Sequence, residues 1–235
     1  MQAHSMDAGS VSTAGELVLP PATESRFTAA ACRALDIVAA GALLLALMPL
    51  FLVIAVAIRL DSHGGVVFRQ RRVGRRGKQF TLHKFRTMRV DAAHDIHRTF
   101  VLRLINADGE VARSAERPLF KLSEDERVTR VGRLLRKSSL DELPQLWNVL
   151  RGEMSLVGPR PPIPYEVEHY PPHWFARFAV KPGMTGLWQV SGRSALALDE
   201  MIRLDVDYVH RRTVWLNLWI LLRTVPAVLF ARGAA

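Results

Sequence analysis

The sequence predicts an α+β protein, mainly helical, in which a proline-broken apolar helix precedes a basic domain with one short β-hairpin. Three observations carry this. No charged residue interrupts Ile37 to Ile58, yet Pro49 sits just past the middle of that run. Two strand-like stretches, Val66-Val67-Phe68 and Gln79 to Leu82, flank a turn marked by Gly74 and Gly77. Further on, arginines at intervals of three and the apolar runs Leu143 to Leu150 and Val214 to Phe230 read as helices.

Residues 1–25 are rich in Ala, Ser, Thr and Pro without periodicity, and read as a disordered leader. Residues 26–60 hold the apolar segment. Its 22 uncharged residues would extend ~33 Å as a straight helix, enough to cross a hydrocarbon core. It starts too far from the N-terminus for a signal peptide. An interior proline removes one helical hydrogen bond and costs ~3 kcal/mol or more. The result is either a kinked span, which composition alone favours, or a sharper break that returns both ends to one leaflet. From Arg59 to Arg89 there are ten Lys or Arg against the single acid Asp61, so the domain that follows, 61–235, is expected on the cytoplasmic side.

A net charge of +10 and a pI near 10.7 call for an anionic partner: nucleic acid, an anionic membrane surface or a phosphorylated small molecule. Cys32 is the only cysteine, which excludes a disulfide framework and a thiolate metal cage. In the hairpin, Arg71, Arg72, Arg75 and Arg76 read as a solvated positive face. Lys84 and Arg86 interleave with Phe85 and Met88 and suggest a partly buried site instead. His94 to Gly109 reads as helix then turn, with His94 and His97 on the surface and no zinc spacing. Arg127, Arg130, Arg133 and Arg136 form a helical stripe. Most of it is a solvated face, but Arg136 lies close enough before Asp141 to share its site.

The chemistry concentrates from Ser138 to Pro162, SSLDELPQLWNVLRGEMSLVGPRPP. Ser139 to Glu142 fits an S-x-x-E capping box ahead of an apolar helix, a structural role that accounts for Glu142 better than for Asp141. Pro144 then falls too deep in the helix, so the register stays open. Functionally, a carboxylate at a helix start stays ionised, binds Mg²⁺ through oxygen and can attack phosphorus to form an acyl phosphate. In Gly158-Pro159-Arg160-Pro161 the flanking prolines restrict the backbone, so the guanidinium is held with little entropy loss. Together they outline a phosphate-handling site. At the end of the chain, Trp215 and Trp219 suit either an interfacial or a buried helix.

From Arg33 to Phe230 the chain resembles the bacterial sugar transferases, the monotopic phosphoglycosyl transferases that begin glycan assembly on polyprenyl phosphate. The matching pieces are RALD at 33–36, FRQRRVGRRGKQF at 68–80, KFRTM at 84–88, RVTRVGRLLRKSSLDELPQLWNVLRGEMSLVGPRP at 127–161, KPGMTGLWQVSGR at 181–193 and the D-x-D-Y segment ending at Tyr208. The resemblance implies that Ile37 to Ile58, broken near Met48-Pro49, is a re-entrant hairpin that makes the protein monotopic. It also implies that Asp141 is the nucleophile and Glu142 its neighbour at a Mg²⁺ site. Arg136 and Arg160 match family arginines associated with substrate phosphate, and the resemblance carries Lys84 and Arg86 over with them.

The implied reaction moves a sugar 1-phosphate from a UDP-sugar to undecaprenyl phosphate at the cytoplasmic face of the bacterial inner membrane. The FKLSEDERVTRVGR segment resembles that of hexose-transferring members of the family, which implies glucose or galactose as the donor sugar. Partners are then the donor, the lipid acceptor, membrane lipid and, as an option, a second copy of the chain; nucleic acid is not among them. Two other readings are a non-enzymatic, membrane-anchored basic module that binds anionic lipid or nucleic acid, and an inactive scaffold of an exopolysaccharide assembly complex. Hexose-transferring relatives often carry extra N-terminal spanning helices, so this chain is expected to be the catalytic core. Two departures stand out: Met48 where a serine is frequent before the proline, and Asn217 where an aspartate is common.

Overall fold

The structure, a computed structural model, describes residues 25–89, 127–192 and 196–229. The leader (Ser25 apart), the stretch 94–109 with His94 and His97, and most of FKLSEDER lie outside them. Among the described residues the protein is mainly helical, with two separate two-stranded sheets.

Helix α1 (Arg26–Ala46) is capped by Ser25, whose hydroxyl accepts from Thr28 N at 3.0 Å. It begins well before the uncharged run, because Arg33 and Asp36 are turned inward. Arg33 donates to Val149 O and Leu150 O at 2.6 and 2.8 Å, and Asp36 accepts from Leu156 N and Ser155 Oγ at 2.8 and 3.0 Å. The break falls at Leu47 (φ −92°, ψ 4°), after which α2 (Met48–Asp61) starts with Pro49 in its first turn, where a missing N–H costs least. By length and hydropathy α1 could cross a membrane. Val38, Leu45, Met48, Leu52 and Val53 are all at least 60% exposed.

Both halves of the broken helix pack on the same body. Cys32, Asp36 and Ala40 are buried on α1, while Ile54 and Ile58 of α2 pack with Phe85 and Leu135. The predicted hairpin is present and longer than expected: β1 (Val67–Val73) pairs antiparallel with β2 (Gln79–Phe85), from Val67 opposite Phe85 to Val73 opposite Gln79. Arg76 and Gly77 take left-handed backbone in the connecting turn, which suits Gly77.

Helix α3 (Arg130–Ser138) is capped by the Thr129 hydroxyl on Gly132 N and tied to the end of α2 through Asp61, which accepts from Val131 N at 2.9 Å. It carries Arg130, Arg133 and Arg136 of the stripe; Arg127 stands before it. A single 3₁₀ turn, Leu140–Glu142, leads to α4 (Gln145–Arg151). The short strand β3 (Ser155–Val157) runs into the Gly-Pro-Arg-Pro loop. After α5 (Pro164–Val167) and an aromatic 3₁₀ segment, Pro172–Ala179, strand β4 (Gly183–Thr185) returns parallel to β3.

No pattern in the sequence announces that parallel pair. It sits under α6 (Leu187–Ser191), α7 (Leu198–Arg211) and α8 (Val214–Leu229), around a core that includes Leu146, Val149, Met154, Val157, Tyr208 and Ile220. The last helix has one buried face and one exposed face: Ile220 and Asn217 of α8 are buried, whereas Trp215 is 81% exposed.

Candidate active site

The acid pair does not start a helix. Ser139 adopts left-handed backbone (φ 56°) and makes no side-chain cap; its N–H closes the end of α3 on Arg136 O. The capping-box reading is therefore corrected. Asp141 and Glu142 lie in the 3₁₀ turn, and Pro144 is the residue that precedes α4, where its ring and missing N–H are tolerated. The turn is held from below, since Leu140 and Leu143 pack with Ile54, Phe85 and Leu135. The two carboxylates thus stand on a rigid connection between α3 and α4, both half-buried.

Lys84, near the end of β2, reaches the turn: its Nζ meets Glu142 Oε1 at 2.8 Å. Arg136, in the last turn of α3, is half-buried directly ahead of the acids. Arg86 is not brought to them. Its guanidinium donates to His63 O at 2.6 Å and to Ser62 O at 2.7 Å, closing the C-terminal end of α2. Its expected place among phosphate ligands gives way to an anchor between the hairpin and the apolar helix.

The loop that carries Arg160 is fixed more tightly than its prolines alone require. Four consecutive carbonyls are each held by a different donor. Pro159 O accepts from Gly183 N (2.9 Å), Arg160 O from Arg177 Nη2 (2.8 Å), Pro161 O from Arg72 Nη1 (2.8 Å) and Pro162 O from Val73 N (2.9 Å). Close passage of backbone demands glycine here. A Cβ on Gly158 would sit 2.5 Å from Lys181 O and 2.8 Å from Gly183 N, and one on Gly183 would collide with Gly158. The Arg160 side chain, half-buried, has no hydrogen-bond partner among the described residues.

Arg72 joins the two halves of the site. The sequence puts it on a solvated face with Arg71, Arg75 and Arg76; those three are exposed, whereas Arg72 is buried. Its Nε and Nη2 are satisfied by Gln70 Oε1, a neutral acceptor. Its charge repels that of Arg160 and is attracted by Glu142 and Glu166, so acid turn and arginine loop share one electrostatic neighbourhood. Burial, reinforced by Arg160, lowers its pKa to about 10. The only signal for it in the sequence is its place on the face of the hairpin that also carries Phe80, Leu82 and Lys84.

Among the described residues no cluster of three or more His, Cys, Asp or Glu could hold a metal unaided. Two adjacent carboxylates, one engaged by Lys84, do fit an ion of the Mg²⁺ type, which takes one or two protein carboxylates and completes its shell with water and substrate phosphate oxygens.

Residues 27–231 match the family model for bacterial sugar transferases. The chain belongs to the bacterial sugar transferase family. It is 44% identical over 205 residues to the galactosyl transferase CpsE of Streptococcus agalactiae serotype III, covering 86% of this chain but 43% of that protein. It is 41% identical over 202 residues to the exopolysaccharide production protein ExoY of Rhizobium meliloti, covering 86% and 87% of the two chains. It is 43% identical over 210 residues to the UDP-glucose:undecaprenyl-phosphate glucose-1-phosphate transferase of Caulobacter vibrioides, covering 86% and 71%. This sugar transferase therefore spans less than half of some relatives it matches and most of the length of others.

Proposed function

We propose that this family member transfers a hexose 1-phosphate from a UDP-hexose to undecaprenyl phosphate. Relatives named for UDP-glucose and for galactosyl transfer support the class of donor. The observation that carries the reading is structural. A rigid turn bearing Asp141 and Glu142 shares one field with Lys84, Arg72 and Arg160, beside an apolar hairpin docked on the same body.

In the first step an Asp141 carboxylate oxygen attacks the sugar-bearing phosphorus. The bond to the bridging oxygen breaks and UMP leaves, so a phospho-sugar is held on Asp141 as an acyl phosphate. In the second step a phosphate oxygen of the lipid attacks the same phosphorus, and Asp141 departs as a carboxylate. One phosphoanhydride is exchanged for another, so no further energy source is needed. Two polyanions also never have to meet directly. Lys84 holds Glu142 in place beside the nucleophile, while Arg160 and Arg136 offset charge on the transferring group. Mg²⁺ held by Asp141 and Glu142 would add Lewis-acid charge neutralisation at the diphosphate.

The same reading makes the protein monotopic, on the cytoplasmic face of the inner membrane. What supports this is the docking of both halves of the broken helix, through Arg33 and Asp36 on one side and Ile54 and Ile58 on the other. The exposed apolar side chains around Leu47 would then enter one leaflet, and the site would lie at the depth of the acceptor phosphate.

The test is UMP release by the detergent-purified full chain with Mg²⁺ and undecaprenyl phosphate. UDP-glucose, UDP-galactose and UDP-N-acetylhexosamines are offered in parallel. Release is expected with a UDP-hexose, and Asp141→Asn should abolish it while leaving membrane association intact. A fully active Asp141→Asn protein would sink the assignment.

A further inference from the structure

Arg177 and Asp205 form a charged pair that no surface reaches: their side chains are 6% and 1% exposed. Arg177 comes from the aromatic 3₁₀ segment and Asp205 from α7. The Arg177 Nη2 group has two hydrogens and two partners, Asp205 Oδ2 at 2.5 Å and the Arg160 carbonyl at 2.8 Å. Its Nη1 donates to the Tyr170 hydroxyl at 3.3 Å, and the Tyr170 ring lies 5.9 Å from the guanidinium carbon. The guanidinium is thus oriented from one side by a carboxylate and from another by an aromatic ring. The second Nη2 hydrogen is delivered to the peptide of the loop arginine.

A buried ion pair of this sort is a weak source of stability, because desolvation offsets most of the Coulombic gain and well-packed apolar residues do as well. It does impose direction, since a guanidinium donates only along fixed axes. Asp205 also senses both the N–H and the guanidinium of Arg160, which favour its ionised form against the effect of burial.

We propose that Arg177 and Asp205 are positioning residues for Arg160: the pair fixes the peptide from which the phosphate-facing guanidinium projects, without touching the substrate. This rests on the reading above that Arg160 binds substrate phosphate. A plain structural role, in which the pair only ties the Pro172–Ala179 segment to α7, predicts lost stability with no special link to Arg160.

Pyrophosphate binding to the full chain in detergent, followed by titration calorimetry beside the melting temperature, separates the two. Arg160→Ala is expected to weaken pyrophosphate about tenfold or more, the loss of one charge-assisted pair. Asp205→Asn should weaken it comparably, and the double variant should bind no more weakly than Arg160→Ala alone. Losses that multiply in the double variant, or Asp205→Asn protein that melts lower but binds normally, would overturn the proposal. If Asp205→Asn does not fold, Arg177→Lys keeps the charge, loses the bridging Nη2 and enters the same cycle. Arg160→Ala protein that binds pyrophosphate like the wild type removes the positioning inference together with the role of Arg160. A cycle that holds in protein releasing no UMP from any donor instead leaves the positioning intact and removes the reaction.

Discussion

Arg72→Met separates what the site needs from what the fold needs. Arg72 is buried, and burial with Arg160 nearby brings its pKa well below that of an ordinary arginine, to about 10. That difference amounts to ~3 kcal/mol disfavouring the charged form relative to an exposed arginine. Against it stand its hydrogen bonds to Pro161 O and Gln70 Oε1, each worth ~1.5–3 kcal/mol for a charged donor. Methionine recovers the desolvation cost and fills much of the volume but forfeits the bonds, which leaves a net loss of ~0–3 kcal/mol. The melting temperature is therefore expected to fall by about 10 °C at most. Activity has no such compensation, because the Pro161 carbonyl loses its anchor and the site loses a cation beside Arg160. A displacement of ~1 Å in a positioning group costs on the order of 100-fold, so UMP release per enzyme should fall by about that factor. Arg71→Met, one residue away and exposed, is the control and should leave both quantities alone. An Arg72→Met protein that melts much lower yet turns over normally would refute this account.

The Lys84–Glu142 pair is about one-quarter exposed or less on each side, so Lys84→Met should change stability by under ~1 kcal/mol while lowering kcat about 100-fold through loss of a fixed donor; a steady-state UMP assay beside thermal melting checks both. Pro49→Ala restores a donor opposite Leu45 O and removes a penalty of ~3 kcal/mol or more on continuous helix, so the broken helix should straighten in part of the population. In intact cells Ser25→Cys is expected to escape an impermeant thiol reagent with Pro49 present and to be labelled with Pro49→Ala; labelling in the Pro49 background would exclude the hairpin.

Features set by local rules were legible. Pro49 marks the break because a proline cannot donate to the turn before it, and Leu47 hinges within two residues of it. The hairpin followed from its glycine turn, and the acid pair and Arg160 stood out as charged residues beside backbone-restricting neighbours. What escaped depends on contacts between distant segments. The β3–β4 pair is three residues a strand, too short for any period. Arg72 looks like its neighbours until Pro161 O arrives across the fold, and Arg33 and Asp36 look like flanking charges until α4 and β3 receive them. The capping box failed for a local reason: S-x-x-E was satisfied in letters, but Ser139 is already spent in left-handed backbone ending α3. The recurrence of glycine in GPRP and KPGMTG is the one signal of the long-range kind, since it reports backbone crossing backbone at Gly158 and Gly183.

The departure at Asn217 has its reason in the packing beneath the site. Asn217 is buried, with its Oδ1 accepting from the Tyr208 hydroxyl at 2.8 Å and its Nδ2 donating to Cys32 Sγ at 3.3 Å. The Tyr208 hydroxyl shares its hydrogen with Val157 O, 3.0 Å away and one residue before the arginine loop. A neutral amide supplies one acceptor and one donor where one of each is used. Aspartate supplies two acceptors, sets a carboxylate oxygen against Cys32 Sγ where the amide had donated, and carries a charge into the interior. Arg212 near Tyr208 offsets part of that charge and Asp36 adds to it. Asn217→Asp should therefore cost ~1–2 kcal/mol at neutral pH. Burial raises such a carboxyl above its unfolded value, so the folded state resists ionisation. The deficit is full above the folded pKa and shrinks as pH falls toward the unfolded one, where the protonated acid again offers a donor to Cys32. Melting curves of both proteins from pH 8 to about pH 4 should converge at the acid end. A deficit that is absent at neutral pH, or constant across the range, would show that this corner of the core is indifferent to charge.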